Sequence, residues 1–388
     1  MLNSYFADMH IHIGRDYKNK PVKITGSKNL TLTNILKESS RRKGVHLIGV
    51  IDCQSPTVQQ EIHELIALGQ AKELEDGGVR FEQVTLILGS EIEIYDATCQ
   101  GPIHVLVYFP TLKKMEKFSS WLQTKMKNIT LSSQRYYGTA KQLQYKVKQL
   151  DGIFIPAHVF TPFKSMYGKG VKQSLKEVFD ADLIDAIELG LSSDTSMADQ
   201  ITELHQYTYL SNSDAHSLQK IAREYQKVLL EQPSFKEFVW ALYGIHNRKI
   251  IANYGMNPKL GKYYTTVCSQ CFNQVKNEEI TCSTCESSKI IKGVYDRIGE
   301  LANKNISKIT RPPYYHHVPL EFLPSVGPKT YYKLLNEFGS EMNVIHHAQL
   351  DELKTIVPEK IAKLIIHMRE GKLKIQAGGG GKYGSLSL

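Results

Sequence analysis

The sequence predicts an α/β protein: a long N-terminal βα unit followed by two smaller modules. Three observations point to this fold class. In residues 1–250, apolar runs alternate with helical stretches. Two closely spaced CxxC pairs come next in the chain. After them, a Pro-rich segment precedes further helical patterns. The 388 residues suffice for two or three domains of about 150 residues each. With 41% hydrophobic and 22% charged residues, a mainly disordered chain, a collagen and a coiled coil are excluded.

The apolar runs of the N-terminal part are predicted strands. Several are nearly continuous apolar segments, as expected for parallel strands that are buried on both faces. Helical patterns lie between many of them, for example in 58–74 and 112–129. This repeat favours a barrel-like sheet, with an open doubly wound sheet as the alternative. The seven runs are 6–13, 45–51, 84–95, 103–109, 152–157, 184–189 and 207–212.

Histidines and acidic residues recur where these runs end, which is where a parallel α/β fold opens its active site. Imidazole and carboxylate are suitable ligands for Zn²⁺, Mn²⁺ and Fe²⁺. A cluster of this size is hard to explain by packing, because each buried polar group would need its own partner. Glu188, taken alone, is expected to be a polar residue of the barrel rim. The predicted ligands are His10, His12, Asp52, Glu91, His104, His158, Asp214 and His216.

In order and spacing, these residues resemble the motifs of the PHP (polymerase and histidinol phosphatase) superfamily over roughly residues 1–250. The motifs are Asp8–His12, Asp52, Gly89–Glu91, His104, His158 and Asp214–His216. The resemblance implies a distorted (β/α)7 barrel with a two- or three-metal phosphoesterase site. The chain departs from the superfamily at Cys53, where many members have histidine. The implied ligand sets are His10, His12, Glu91 and Asp214 for one metal, Glu91, His104 and His158 for a second, and Asp52 with His216 for a third.

Such a centre suits phosphodiester hydrolysis. Divalent ions about 3.5–4 Å apart lower the pKa of a bound water and stabilise the attacking and leaving oxygens. We expect Zn, Mn or Mg at this centre, with Glu91 bridging two ions. The predicted catalytic residues are Glu91, Asp214 and His216.

Four of the six cysteines form a CxxC-x10-CxxC pattern: Cys268, Cys271, Cys282 and Cys285. Four thiolates at this spacing favour one tetrahedral structural zinc, and a redox CxxC is the weaker alternative. A module this small should unfold without its metal. This use of cysteine also indicates a reducing compartment, so we expect a cytoplasmic protein.

The C-terminal part contains a segment, residues 323–330, that resembles a helix-hairpin-helix. In that motif a Gly-containing turn offers backbone N–H groups to DNA phosphates, and here Gly327 and Lys329 would make the contact. An ordinary helical bundle is the alternative. Helices are predicted over 328–339, 341–348 and 358–370. The predicted domains are a PHP metallo-phosphoesterase domain (1–255), a four-cysteine zinc module (256–295) and a helical DNA-binding domain with a Gly-rich tail (310–388).

The order of these three parts resembles the endonuclease Q family along essentially the whole chain, including the phrases at 156–163, 211–216 and 378–384. The resemblance implies a DNA repair endonuclease. Such enzymes cleave the phosphodiester bond 5′ to deaminated bases (uracil, hypoxanthine, xanthine) and to abasic sites. Two alternatives stay open: a PHP-type phosphatase acting on a small phosphomonoester, and a DNA-binding scaffold whose catalytic site has decayed.

The net charge agrees with a polyanionic partner, since the chain has 48 basic and 39 acidic residues and a net charge of +9. We expect Lys23, Lys28 and Lys382 to contact DNA. Candidates for lining a flipped-base pocket are Phe160, Phe163 and Tyr167, with rim packing as the alternative.

The sequence indicates no signal peptide and no membrane association. We expect a monomer, and a sliding clamp is a candidate partner.

Overall fold

The structure is a computed structural model that describes residues 1–261, 263–276, 279–303, 309–376 and 385–387. Among these residues, no helix combines the length and the apolar character that a membrane span requires. The predicted DNA contact Lys382 and most of the Gly-rich tail lie outside the described residues.

The strands in chain order are β1 (Asn3–Ile11), β2 (Leu47–Val50), β3 (Lys72–Glu73), β4 (Val79–Phe81), β5 (Val84–Ile94), β6 (Ile103–Phe109), β7 (Arg135–Tyr136), β8 (Ile153–Pro156), β9 (Ala186–Glu188), β10 (Thr208–Leu210), β11 (Tyr225–Leu230), β12 (Lys249–Gly255), β13 (Val267–Cys268), β14 (Ile290–Ile291), β15 (Tyr314–His316), β16 (Lys374–Gln376) and β17 (Ser385–Ser387).

The α-helices are α1 (Leu32–Glu38), α2 (Pro56–Ala67), α3 (Leu112–Gln123), α4 (Ala140–Gln149), α5 (Thr195–Ala198), α6 (Phe235–Tyr243), α7 (Val294–Leu301), α8 (Pro328–Phe338), α9 (Glu341–His346), α10 (Leu350–Ile356) and α11 (Glu359–Arg369). Single turns of 3-10 or π geometry lie between them, among them Ser39–Lys43, Met166–Gly170, Leu218–Lys220 and Leu320–Phe322.

The seven predicted runs all form strands. β1, β2, β5, β6 and β8 belong to one sheet and β9 and β10 to a second, and a hydrogen bond from Asp185 N to Phe154 O joins the two sheets on one side of a ring. Parallel pairing joins β1 to β2, β2 to β5, and β9 to β10. Beyond β10 the chain returns to β1, where His12 N donates to Ala215 O and Ala215 N donates to His10 O. The α/β fold class predicted from the sequence is therefore confirmed.

One strand runs opposite to the expectation of a parallel sheet. β6 is antiparallel to both of its neighbours, β5 and β8. The reason is the connection 95–102, which is too short for a parallel crossover of a dozen or more residues. The start of β6 consequently lies beside the end of β5, with His104 opposite Glu93. We call this end of the ring, where the predicted ligands gather, the rim.

The strands are apolar throughout because both of their faces are buried. In β6, Val105 and Val107 pack in the cluster between the sheet and the helices around it. Their neighbours Leu106 and Tyr108 pack in a second cluster. Side chains alternate between the two faces of a strand, so burial on both faces requires a continuous apolar run.

Beyond the ring, the sheet continues on one side. β11 is antiparallel to β1 and to β12, and β15 then adds parallel to β12. The chain therefore returns to the barrel sheet after the four-cysteine segment, inside the predicted domain 310–388. α8, α9 and α11 follow the three predicted C-terminal helices, whereas α10 was not predicted. The first helix of the predicted hairpin is a single turn, Leu320–Phe322.

Candidate metal centre and nucleic-acid surface

Two groups of ligand-type side chains gather at the rim, and within each group the ligand atoms lie within 4.8 Å of one another. Each group combines residues from separate strands or from the turns that follow them. This convergence arises because the strand ends meet at one rim. The first group is His10, His12 and Asp214, and the second group is Glu91, His104 and His158.

Glu91, a member of the second group, also faces the first group. Its Oε1 is 2.9 Å from His104 Nδ1, 3.4 Å from His158 Nε2 and 3.6 Å from His10 Nε2. Its Oε2 is 3.7 Å from His12 Nε2. One carboxylate thus faces histidines of both groups, which is the geometry that a bridging ligand requires.

The donor atoms fit a divalent cation. His10 Nε2 and His12 Nε2 are buried, and neither has a hydrogen-bond partner among the described residues. They lie 3.5 Å and 3.4 Å from Asp214 Oδ1. Bare imidazole nitrogens that converge on a carboxylate are costly when buried, and a metal ion would satisfy them.

Both histidines of the first group are held from behind by a carboxylate. Glu188 Oε1 lies 2.9 Å from His10 Nδ1, and Asp52 Oδ2 lies 3.3 Å from His12 Nδ1. Carboxylates in this position fix the ring orientation and the tautomer of a metal-binding histidine. Glu188, which the sequence marked as a rim residue, therefore has a specific contact in the site.

Asp52 differs from its predicted role as a ligand of a third metal. It lies outside both groups, and its Oδ2 accepts a hydrogen bond from Ile13 N at 2.7 Å as well as facing His12. His216, its predicted partner, instead has Nε2 at 3.3 Å from Asp214 Oδ1 and a side chain that is 33% exposed. The two residues are thus engaged with different members of the first group.

Two ligand-type residues occupy left-handed backbone conformations that L-residues rarely adopt: Asp214 has a φ of 45° and His158 a φ of 31°. Gly190, at a φ of 76°, packs directly against His158, where an added Cβ would come within 2.7 Å of His158 Cβ. Strained conformations persist where the surrounding structure enforces them, and they cluster at functional sites.

The carboxylates of the rim are held ionised. Burial acts to raise the pKa of Glu91, but His104 and Lys23 outweigh it and hold that pKa well below its usual range. Burial is likewise outweighed at Asp214, whose pKa is held well below its usual range by His10, His12 and His216. Ionised carboxylates are the form that binds a cation.

Comparison with known proteins agrees with this geometry. The chain is 32% identical, with a TM-score of 0.86, to the crystal structure of the lesion-specific endonuclease PfuEndoQ from Pyrococcus furiosus, over 100% of this chain and 96% of that one.

The chain belongs to the endonuclease Q family.

Within this family, a structure described as endonuclease Q in complex with a 27-mer duplex substrate with an abasic lesion at the active site is 32% identical to the chain. Its TM-score is 0.84, over 100% of this chain and 97% of that one. The Bacillus subtilis protein YqxK, described as uncharacterized, is 53% identical over 385 residues, which are 99% of this chain and all of that protein. Residues 328–372 match the family described as the MJ0043 C-terminal domain. As a member of the endonuclease Q family, the protein is a metal-dependent enzyme of the nuclease class.

The four cysteines that this endonuclease Q family member carries after the barrel come together as one group. Cys268 Sγ lies 3.6 Å from Cys285 Sγ, and Cys271 Sγ lies 3.5 Å from Cys282 Sγ. Thiolates around one tetrahedral zinc at about 2.3 Å lie roughly 3.8 Å apart, so the spacing fits. Hydrogen bonds from the backbone of Cys271 and Gln270 lower the pKa of Cys268 to about 6, which favours the thiolate.

The predicted DNA contacts lie in different environments. Lys28, Gly327 and Lys329 are exposed. Gly327 is the N-cap of α8, where backbone N–H groups point outward. Lys23 is instead directed into the rim, and its side chain is only 15% exposed. The sequence pattern placed Lys23 in a basic loop and carried no signal of this inward orientation.

The base-pocket prediction is wrong for two of its three residues. Phe160 and Tyr167 are fully buried and stack on each other with their ring centroids 5.4 Å apart. They belong to the apolar core, so neither is free to stack on a base. Phe163 is 47% exposed and packs edge-on against Tyr263, and it stays a candidate.

Proposed function

We propose that the protein is a DNA repair endonuclease that cleaves the phosphodiester bond 5′ to deaminated bases and abasic sites. The observation that carries the proposal is the position of Glu91 between two groups of metal-ligand type, in a chain that matches endonuclease Q over its full length. The related complex with an abasic lesion at its active site supports lesion-containing DNA as the substrate.

The ligands of the catalytic ions are the two groups at the rim. His10, His12 and Asp214 would hold one ion and His104 and His158 another, with Glu91 available to both. Bound divalent ions, Zn, Mn or Mg, would supply a water of lowered pKa and would offset charge on the phosphate oxygens. Glu188 and Asp52 keep the histidine rings of the first group in their binding orientation.

His216 is a member of the predicted catalytic set that can meet the substrate. It stands at the rim beside Asp214, one third exposed, and Thr25 Oγ1 lies 3.2 Å from its Nδ1. Burial lowers the pKa of His216 and outweighs the hydrogen bond to Asp214, which acts to raise it, so the neutral ring is favoured. A neutral imidazole at the rim can accept a proton from the water that attacks phosphorus.

The DNA surface lies beside the rim. A groove of about 520 Å³ separates the barrel from the N-terminus of α8, and its walls include Asn29, Gln219, Gly327 and Tyr332. Asn29 directly follows Lys28, and Gln219 comes three residues after His216. A duplex that reaches the rim therefore passes the turn at Gly327, whose backbone N–H groups suit phosphate contacts.

We further propose the division into a catalytic barrel (1–255), a module with one structural zinc (256–295) and a helical DNA-binding part (310–388). We propose a structural role for the zinc module, which holds the neighbouring parts of the chain in position and takes no part in the cleavage reaction. Helix α7 begins at the end of this module and contacts the barrel directly, since Arg297 Nε donates to Tyr167 O at 2.9 Å.

The test uses labelled duplexes that carry one deoxyuridine, deoxyinosine or abasic site, with Mg²⁺ or Mn²⁺ added. We expect a nick on the 5′ side of the lesion that leaves a 3′-hydroxyl and a 5′-phosphate. Asp214→Asn should abolish cleavage and spare DNA binding, because it removes a ligand without adding bulk. Equal cutting of an undamaged duplex, or phosphate release from a phosphomonoester in place of nicking, would refute the proposal.

A further inference from the structure

Lys23 directs its ammonium into the metal centre. Lys23 Nζ donates to Ser133 Oγ at 2.7 Å and to Glu91 Oε2 at 3.3 Å. Ser133 Oγ itself donates to the same Glu91 oxygen. Among the residues that the structure describes, Lys23 is the one lysine or arginine whose side chain forms an ion pair with a member of either group.

The loop that carries Lys23 is fastened at several points. Lys23 N donates to Ile13 O at 2.8 Å, and Val22 N donates to Gly14 O at 3.0 Å. Ser132 N donates to Val22 O at 2.9 Å, which joins the loop to the segment that carries Ser133. The ammonium is therefore held in place before any substrate arrives.

The ammonium group of Lys23 keeps one N–H donor that is free to bind a ligand. A lysine has three N–H donors, and two of them are directed at Ser133 and Glu91. The third donor is available on a side chain that keeps 15% exposure at the rim. Any phosphate that binds between the two groups must approach Glu91, and hence this donor.

We propose that Lys23 is a catalytic residue of the phosphodiester cleavage, and that its ammonium donates to a non-bridging oxygen of the scissile phosphate. The proposal rests on the function proposed above. During cleavage a bond forms between the water oxygen and phosphorus, and the water gives one proton to His216. The bond from phosphorus to the 3′-oxygen breaks, and that oxygen leaves with the electron pair and takes a proton from solvent, which gives the 3′-hydroxyl and the 5′-phosphate. Lys23 keeps its protons throughout and offsets the charge that accumulates on the phosphate oxygens. A fixed cation in a largely dry site stabilises such charge without reorganising.

This role differs from that of a lysine that only attracts the DNA backbone. A backbone contact contributes to affinity, and its loss changes the salt dependence of binding. A donor aimed at the reacting phosphate contributes to turnover, and losing one such donor lowers kcat by about 10²–10³-fold.

The experiment compares wild type with Lys23→Met, Lys23→Arg and Lys37→Met. Lys37 is an exposed lysine of α1 and serves as the matched control. Turnover is measured on a lesion duplex and on bis(p-nitrophenyl) phosphate. Metal content per chain, the affinity of the metal-loaded protein for inorganic phosphate, and the salt dependence of DNA binding are measured in parallel.

For Lys23→Met we expect kcat to fall by about 100-fold on both substrates and phosphate affinity to fall by at least about tenfold. Metal content should stay at the wild-type value, the salt slope of DNA binding should change by no more than the roughly one unit of a single phosphate contact, and Lys23→Arg should recover part of the loss. Three results would overturn the proposal: a kcat within about threefold of wild type, a changed salt dependence with unchanged kcat, or a loss of bound metal. If wild type cleaves the generic diester but not the lesion duplex, the proposed function fails, and the diester and phosphate measurements still decide the role of Lys23.

Discussion

His10 and Glu188 are joined by a 2.9 Å contact between Nδ1 and Oε1, and both side chains are fully buried although 178 residues separate them. The same carboxylate accepts from His158 N at 2.8 Å and from Asn212 Nδ2 at 2.7 Å. Glu188 therefore orients a ring of the first group and fixes the backbone of a residue in the second. It connects the two halves of the centre without belonging to either.

Replacing Glu188 should weaken metal binding more than folding. We expect Glu188→Ala to lower the affinity of the rim for divalent ions by about 10–100-fold, because His10 loses the partner that orients its ring. Titration in metal-buffered solution measures the affinity. Glu203→Ala is the control, since Glu203 accepts from Tyr167 and Ser174 in the same barrel but touches no ligand. Wild-type affinity in Glu188→Ala would rule out the orienting role.

Removing the zinc proposed for the four-cysteine group should unfold that segment alone. The small cluster there consists of Cys268, Val275 and Cys282, which is too little apolar surface to hold a fold without metal. Hydrogen exchange read by mass spectrometry should rise in the segment 267–291 of Cys271→Ser and stay low in β1 and β5. Cys99→Ser, at a cysteine outside the group, should leave exchange unchanged. Full protection of the segment in Cys271→Ser would contradict the prediction.

A buried ion pair fastens the C-terminal helices to the barrel. Lys43 Nζ lies 2.6 Å from Glu341 Oε2, and both side chains are at most 3% exposed. Glu341→Ala should lower the free energy of unfolding by about 3–5 kcal/mol, because it leaves a buried ammonium without its counter-ion.

Urea denaturation measures this loss, and Lys43→Met combined with Glu341→Leu should recover most of it. Glu359→Ala is the control, since its pair with Lys363 is exposed to solvent and contributes little to stability. A loss in Glu341→Ala no larger than that of the control would show that the buried pair does not stabilise the interface.

The same interface should weaken in mild acid. His346 stacks on Phe6 with ring centroids 4.6 Å apart, and its Nε2 lies 2.7 Å from the hydroxyl of Tyr225. Burial lowers the pKa of His346 to about 3, with His317 and Lys227 acting in the same direction. The folded state thus keeps the ring neutral while the unfolded chain takes up a proton below its ordinary pKa of about 6.5. Stability is fully present above that pH and declines as pH falls toward 3.

Between pH 7.5 and 5.0 the loss attributable to His346 should be about 2 kcal/mol. Unfolding free energies of wild type and His346→Phe at the two pH values measure it, and the variant should lose correspondingly less stability on acidification. His367→Gln, at an exposed position of α11, should keep the wild-type pH dependence. An equal pH dependence in wild type and His346→Phe would contradict the assignment.

Strand positions were predictable from sequence, and one strand direction was not. All seven apolar runs form strands because burial on both faces demands continuous apolar residues. The direction of β6 depends on the length of the connection 95–102, and it places His104 at the rim although His104 begins its strand. α10 escaped prediction, and the structure places it between α9 and α11 in the C-terminal helices.

The predicted ligands of two metals converge as expected, but the roles around them changed. Asp52 supports His12, and Glu188 supports His10, because each faces the Nδ1 side of its histidine. Sequence spacing reveals that a carboxylate is near a strand end and does not reveal which nitrogen it will face. The same limitation applies to Phe160 and Tyr167, whose position after His158 says nothing about whether they turn outward.

The sequence by itself determined the fold class, the identity of the candidate ligands and the four-cysteine group, because strand periodicity and short-range spacing are local properties of the chain. Only the tertiary structure decided that Lys23 turns into the rim toward Glu91 and that Lys43 meets Glu341. These contacts join residues that are 68 and 298 positions apart in the chain. Which residues meet in these contacts depends on which strands pair, on the direction in which they pair and on how deeply each side chain is buried. Those quantities are fixed by packing of the whole molecule, and no local pattern encodes them.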